Sequence, residues 1–467
     1  TFTIDGAGTL DNNSTAWTFS SLTFGDGSGA ATTTALGTGG ITVSGTLSIA
    51  NNQGLHAGGK TWTLSGAGTP FSVSGNWQSA SSTVAYTSAS GVSALSSRAM
   101  TSTYAYNNLT INQSAQTFTA GVAVTATSTL EVTAGSLVLG SNNLTVGSTE
   151  SANTGSIKVA ASQTLNQSSA GTTQINSASG SNCIGSNGGS CAGTAGTLVF
   201  GSLTIGDGSK TFTTTFGADA GTPSTTVDNV FTIAANATFN GGSTNKTMTL
   251  AGSGTPFARN GTFTANAMDV NYIGSSATNV TGATYDGLGV GTTSDGGTGV
   301  TYTLAANATS SAVTIGHTSS TNNDTLDASS RTLTISGSGT PLDRTSKGVF
   351  EGGTSNVRYT SGSGITAVSS SAMTSANAYY SLEINGTGTF TAGVAVTADN
   401  ALTVYDGNFV LGSNALTVGS TGVTNSGSIK VASGDTLNQA SGGTTTILGS
   451  ASGSNCLGST GASCAGT

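Results

Sequence analysis

Along the whole chain, short runs of Val, Ile, Leu, Thr and Phe alternate with clusters of Gly, Ser and Asn. Within residues 117–124, 129–132, 137–139, 144–146 and 157–159, apolar and polar side chains take turns. That two-residue period predicts half-buried β-strands. No stretch of useful length has a helical period, and no run of apolar residues is long enough for a membrane-spanning helix. Leu109 and Leu130 are 21 residues apart, as are Leu144 and Leu165. A spacing of this size predicts one coil of a β-solenoid, in which each coil stacks on the next and buries a narrow core. Gly and Asn at the corners supply the positive φ that tight turns need.

A larger repeat lies over the strand pattern. Residues 107–191 recur as a near-copy at 380–464, with Cys183 matching Cys456 and Cys191 matching Cys464, both at an offset of 273. Segments of the form Leu-x-β-Gly/Asn recur at Leu22, Leu109, Leu203, Leu288 and Leu382, at intervals of 87, 94, 85 and 94 residues. The array therefore has a module of about ninety residues. One module type carries a G-x-G-T-P turn after a strand, as in 60–71, 246–257 and 331–342, and then a V-x-Y strand (Val84/Tyr86, Val270/Tyr272, Val357/Tyr359). The other type lacks that turn and carries the cysteine pair. This divides the chain into a partial strand segment at 1–21, turn-type modules at 22–108, 203–287 and 288–381, and cysteine-type modules at 109–202 and 382–467. The expected fold is all-β, an elongated, right-handed parallel β-helix-like solenoid. The alternative is a tandem of immunoglobulin-like sandwiches, since ninety residues with about seven short strands also fit that fold. Against it stand the short apolar runs and the few large residues (15 Phe, 10 Tyr, 3 Trp).

Composition narrows the function. Charged residues make up 6% of the 467, Gly alone accounts for 70, and the net charge is −8. The 11 Lys and Arg are scattered. No basic stripe predicts a nucleic-acid surface. Residue 1 falls inside a strand-like motif, TFTIDGAGTL, and no signal peptide precedes it, so a mature or partial product of a longer precursor is expected.

The string YNNLTIN…TFTAGVAVTATSTLEVTAGSLVLGSNNLTVGS, preceded by GNWQSASSTVAYTSASG, resembles the Gly/Thr/Asn-rich strand repeats of very long secreted or surface-attached bacterial proteins. These are similar to adhesin and autotransporter-passenger β-helices. The resemblance covers nearly the whole chain and implies a right-handed β-solenoid, an extracellular location and a structural or adhesive role. It supplies no catalytic motif to carry over, and the Cys-x7-Cys loops lie outside its pattern.

Few residues carry candidate chemistry. Cys183/Cys191 and Cys456/Cys464 form two local pairs, read as structural disulfides that staple loops. They point to an oxidising compartment. His56 and His317 fall in roughly corresponding loops, far in sequence from any nucleophile motif, and read as turn residues. The four glutamates, Glu131, Glu150, Glu351 and Glu383, are too dispersed for the paired carboxylates of a polysaccharide-cleaving enzyme. Asp26 and Asp207 occupy equivalent G-D-G segments, and Asp286 and Asp406 lie in Y-D-G segments; all four read as turn residues. Calcium is the one cofactor these turns could hold, where several meet, though no dense D-x-D-x-D run is present. Asn-x-Ser/Thr sequons at Asn108, Asn143, Asn236, Asn245, Asn260 and Asn307 are open to glycosylation on a secreted surface.

The expected function is therefore structural rather than enzymatic: a subunit of a self-assembling surface filament, or a stiff stalk. Its partner would be itself, stacked head to tail, with Thr1, Phe2, Thr3, Ile4 and Thr467 at the joint, since unpaired strand edges template addition. The alternative is a cell-surface adhesin for glycans, which would gather aromatic or carboxylate side chains on one face. Trp17, Trp62, Trp77 and the tyrosines are not clustered in sequence.

Overall fold

A computed structural model describes residues 1–150, 155–217, 224–293, 299–421, 427–449 and 455–461. The chain is all-β, its parallel strands stacked as a β-solenoid of about 17 turns. Among the described residues there is no α-helix and one 3-10 turn, Gly189–Cys191. Parallel pairing excludes the immunoglobulin-like alternative, whose sheets are antiparallel. The chain divides into two compact units, Thr1–Met248 with Ala258–Thr264 and Thr249–Phe257 with Ala265–Thr467.

The first unit opens with four coils of three short strands each. Phe2–Ile4, Leu22–Phe24, Leu47–Ile49 and Phe71–Val73 form one face. Gly8–Asp11, Ala31–Leu36, Gln53–His56 and Asn76–Gln78 form the second. The third runs Trp17–Phe19, Ile41–Val43, Thr61–Leu64, Thr83–Tyr86 and on into Tyr106–Thr119. Leu22, Leu47 and Phe71 occupy one inward column, stacked in register and fully buried. Ser48 and Ser72 in the neighbouring outward column are only half-buried. Thus the alternation seen in the sequence becomes a core made of ladders of like side chains, each buried aliphatic group worth roughly 1.5–3 kcal/mol. The aromatic residues are not scattered as the sequence implied. Phe24, Trp62, Trp77, Phe71 and Tyr106 form one chain of rings with centroids 5.0–6.3 Å apart, edge-on as far as Phe71 and tilted at 44° between Phe71 and Tyr106.

Further along, two long strands, Tyr106–Thr119 and Val124–Gly140, round a corner without breaking. Register shifts between Ile111 and Asn112 and between Asn112 and Thr117 mark the bend. Such bulges let one strand serve two faces. Val124–Gly140 accordingly pairs with Leu144–Val146, Ser156–Val159 and Thr164–Gln167. The 21-residue coil holds at Leu109, which stacks on Leu130. It fails at Leu144 and Leu165, which are not partners: Leu144 stacks on Thr173, and Leu165 on Leu198. Corners absorb extra residues, so coil length is not constant.

The second unit repeats this plan. Thr278–Val280, Thr301–Leu304, Asp324–Asp327 and Gly348–Glu351 form one face. The long strands recur as Tyr379–Thr391 and Val396–Gly412, with register shifts at the matching place, between Ile384 and Asn385 and between Asn385 and Thr389. In all three turn-type modules the V-x-Y strand lies beside the next Leu marker: Val84 on Leu109, Val270 on Leu288, Val357 on Leu382.

Candidate assembly face and cross-links

Cys183 and Cys191 are disulfide-bonded, with Cα atoms 5.9 Å apart. The sequence placed both in a loop rich in Gly, Ser and Asn. Instead Cys183 lies in the strand Ser181–Gly185, in register with Thr215, and both cysteines are buried. The bond closes a corner of the coil against the next one, so close that a Cβ on Gly217 would fall 2.1 Å from the Cys191 carbonyl. Cys456, in the matching strand Cys456–Gly458 beside Ser428, is also disulfide-bonded. Cys464 lies outside the described residues, as does Thr467.

Of the residues expected at a subunit joint, Thr1, Phe2 and Thr3 are exposed and Ile4 half-exposed. Phe2–Ile4 pairs along one edge with Leu22–Phe24, and among the described residues its other edge has no partner. The same holds for Gly8–Asp11, paired with Ala31–Leu36, and for Trp17–Phe19, paired with Ile41–Val43. Between these strands lies a cavity of about 690 Å³ walled by Phe2, Ile4, Leu10, Trp17 and Phe19. Phe2 and Phe19 touch with ring centroids 5.4 Å apart, and Phe2 is 52% exposed. TFTIDGAGTL resembles TWTLSGAGTP in sequence, yet the two sit in different columns: Phe2–Ile4 belongs with Phe71–Val73, and Thr61–Leu64 with Thr83–Tyr86.

The aspartates resolve into two kinds. Asp26 accepts from the Ser28 N–H at 2.8 Å and its hydroxyl at 2.6 Å, and Asp207 does the same with Ser209. These bonds hold both carboxyls below their ordinary range, and both residues are turn formers as expected. Asp286 and Asp406 are not in turns. They lie inside the strands Thr284–Val290 and Val396–Gly412, where the Y-D-G segments thread through the ladder. Burial, and then the neighbouring Asp286, push the Asp269 carboxyl up. Among the described residues no three His, Cys, Asp or Glu side chains gather as a metal site. His56 ends the strand Gln53–His56 rather than occupying a loop, whereas His317 is in a turn, where its Nδ1 accepts from the Ser319 N–H.

Two features escaped the sequence reading. Lys60 is buried; its Nζ donates to the Asn12 Oδ1 and, at 3.4 Å, to the Gly39 carbonyl, and burial lowers its pKa. Lys246, at the same place in the next K-T-x-T-L segment, is equally buried and donates to the Phe216 carbonyl at 2.9 Å. The second feature is a set of buried tyrosine pairs. Tyr86–Tyr106, Tyr272–Tyr285 and Tyr359–Tyr379 each bring two hydroxyls within 2.9 Å. The signal was the recurring Tyr of the V-x-Y strand, followed by another Tyr before the next Leu marker.

Compared with protein-family models, curated proteins and solved structures, the chain matches none.

Proposed function

We propose that the protein is a structural repeat protein outside the cell, a subunit of a self-stacking surface fibre or a stiff stalk. The observation that carries this reading is the continuity of the ladders. Inward residues stack on inward residues from coil to coil within each unit, as Leu22, Leu47 and Phe71 do in the first and Val357 and Leu382 in the second. Chain composition supports it, since a nearly charge-free surface of Thr, Ser and Asn suits dense packing. The disulfide supports an oxidising compartment.

The open face of the first coil is the proposed joint, with Thr1, Phe2, Thr3 and Ile4 taking a further parallel strand by β-augmentation. A heterologous contact of this kind does not close and yields a fibre. Electron microscopy of the native material tests the reading. Regular fibres with an axial repeat of one chain are expected, and Phe2→Asp should shorten or abolish them. Dispersed single chains at all concentrations would overturn self-assembly. Tryptophans do not favour the adhesin alternative: Trp62 and Trp77 are fully buried, their indole N–H groups donating to the Ala57 and Ala105 carbonyls at 3.2 Å.

A further inference from the structure

The near-copies place the same backbone corner in each unit, and the side chains there differ in kind. In the second unit Glu351, Tyr380 and Asp399 converge on a cleft of about 350 Å³, floored by Phe350 and walled by Ala376 and Ala378. This is at the small end of the range for ligand pockets, roughly 300–1,000 Å³. The corresponding residues of the first unit are Gln78, Asn107 and Thr127, following Trp77, Tyr106 and Ala126 as Glu351, Tyr380 and Asp399 follow Phe350, Tyr379 and Ala398. There two of the polar groups satisfy each other: the Asn107 Nδ2 donates to the Thr127 Oγ1 at 3.3 Å, and that hydroxyl donates to the Tyr106 carbonyl. In the second unit neither Glu351 nor Asp399 has a side-chain hydrogen bond or ion pair among the described residues. Among the described residues no Lys or Arg lines the cleft. Burial pushes the Asp399 carboxyl up, the direction expected of a carboxylate without a counter-charge.

We propose that this cleft binds a small organic cation, a primary alkylammonium of the diamine class. Two carboxylates supply charge-assisted acceptors. The Tyr380 ring supplies a face for the cation, and the alanines line the path of its methylene chain. Calcium fits less well, since it takes six to eight oxygen ligands and the side chains of Phe350, Ala376 and Ala378 supply none. The inference goes beyond the structural role proposed above and does not rest on it.

Isothermal titration calorimetry of putrescine into the full chain at low salt provides the test. One site is expected. Glu351→Gln, Tyr380→Asn and Asp399→Thr together install the residues the first unit already accommodates, so the fold should survive. Binding should fall at least about tenfold, the loss expected for charge-assisted bonds worth 1.4 kcal/mol or more. The reverse set, Gln78→Glu, Asn107→Tyr and Thr127→Asp, should create a second site. Nα-acetyl-lysine amide, run in parallel, separates a free diamine from a lysine side chain as the source of the ammonium; binding of either upholds the site. No heat from either probe would overturn the proposal, as would undiminished binding by the triple variant, or calcium binding without putrescine binding.

Discussion

The hydroxyls of Tyr86 and Tyr106 lie 2.9 Å apart in the fully buried core, their rings crossed at 83°. The Tyr86 hydroxyl donates to the Leu95 carbonyl at 2.6 Å. The second unit rebuilds this arrangement with Tyr359 and Tyr379, 2.9 Å apart and crossed at 87°, with Tyr359 bonded to the Val368 carbonyl. A buried hydroxyl without a partner is costly, so each pair commits its neighbouring loop carbonyl to one place. Removing the Tyr106 hydroxyl leaves Tyr86 its carbonyl acceptor, whereas removing the Tyr86 hydroxyl strands the Leu95 carbonyl. Tyr106→Phe is expected to cost about 1 kcal/mol and Tyr86→Phe about 1–3 kcal/mol. Denaturant midpoints of the two variants check the order; the reverse order would show that Tyr106 carries the loop.

High pH should unfold the chain through these same pairs. Burial pushes Tyr272 up to about 12, and pushes Tyr86 and Tyr359 well above the ordinary tyrosine value. In the unfolded chain tyrosine ionises near 10. Between about pH 10 and the folded values the native state therefore holds more protons than the unfolded state, so stability falls as pH rises. Below about pH 10 this contribution is fully present. Tyrosinate absorbance from the buried rings and loss of the β circular-dichroism signal should appear together above that pH. Ionisation of all the tyrosines with the β signal intact would show the pairs to be open to solvent.

The disulfide closes a short loop, eight residues from Cys183 to Cys191. Its removal in Cys183→Ser/Cys191→Ser should cost about 2–3 kcal/mol in the chain-entropy account. In a solenoid each coil leans chiefly on its neighbours, so the effect should stay local. Hydrogen exchange should quicken in strands Ser181–Gly185 and Phe212–Phe216, which pair in register. It should be unchanged in Leu22–Phe24 and Leu47–Ile49. Equal quickening in all four strands would mean that the unit unfolds as one cooperative body.

How far the sequence was readable follows from what fixes each feature. Alternation between core and solvent is imposed one residue at a time, so strands such as Leu144–Val146 were legible where they stand. Stacking partners are set by corner length, which polar residues change freely; hence Leu109 on Leu130 was legible, whereas Leu144 and Leu165 were paired wrongly. The Y-D-G segments look like turns because Asp-Gly favours them, yet Asp286 and Asp406 are held in strands by the ladders on both sides. Lys60 was invisible as a core residue because lysine is rarely buried, and only the fold brings Asn12 and the Gly39 carbonyl to meet it. Tyr86 was legible as a strand residue, but its partner Tyr106 lies a coil away, and only stacking brings the two hydroxyls together.

Glycine is enforced at some corners and merely convenient at others, and two positions in one unit separate the cases. Gly75 follows Phe71–Val73 and donates its N–H to the Ile49 carbonyl at 3.1 Å. A Cβ there would sit 2.2 Å from the Gln53 carbonyl oxygen and 2.3 Å from that of Ala50, both backbone atoms of the neighbouring coil. Gly68, in the G-T-P turn, has φ +72° but nothing within 4 Å of a Cβ. At Gly75 the cost of a side chain is a clash that the ladder cannot relieve without shifting, about 1–3 kcal/mol for Gly75→Ala. At Gly68 the cost is conformational alone, so Gly68→Asn, whose residue tolerates the left-handed region, should lose well under about 1 kcal/mol. Denaturant midpoints measured side by side decide between them. Comparable losses at both sites would mean that neighbouring coils do not approach at Gly75 as closely as the ladder requires.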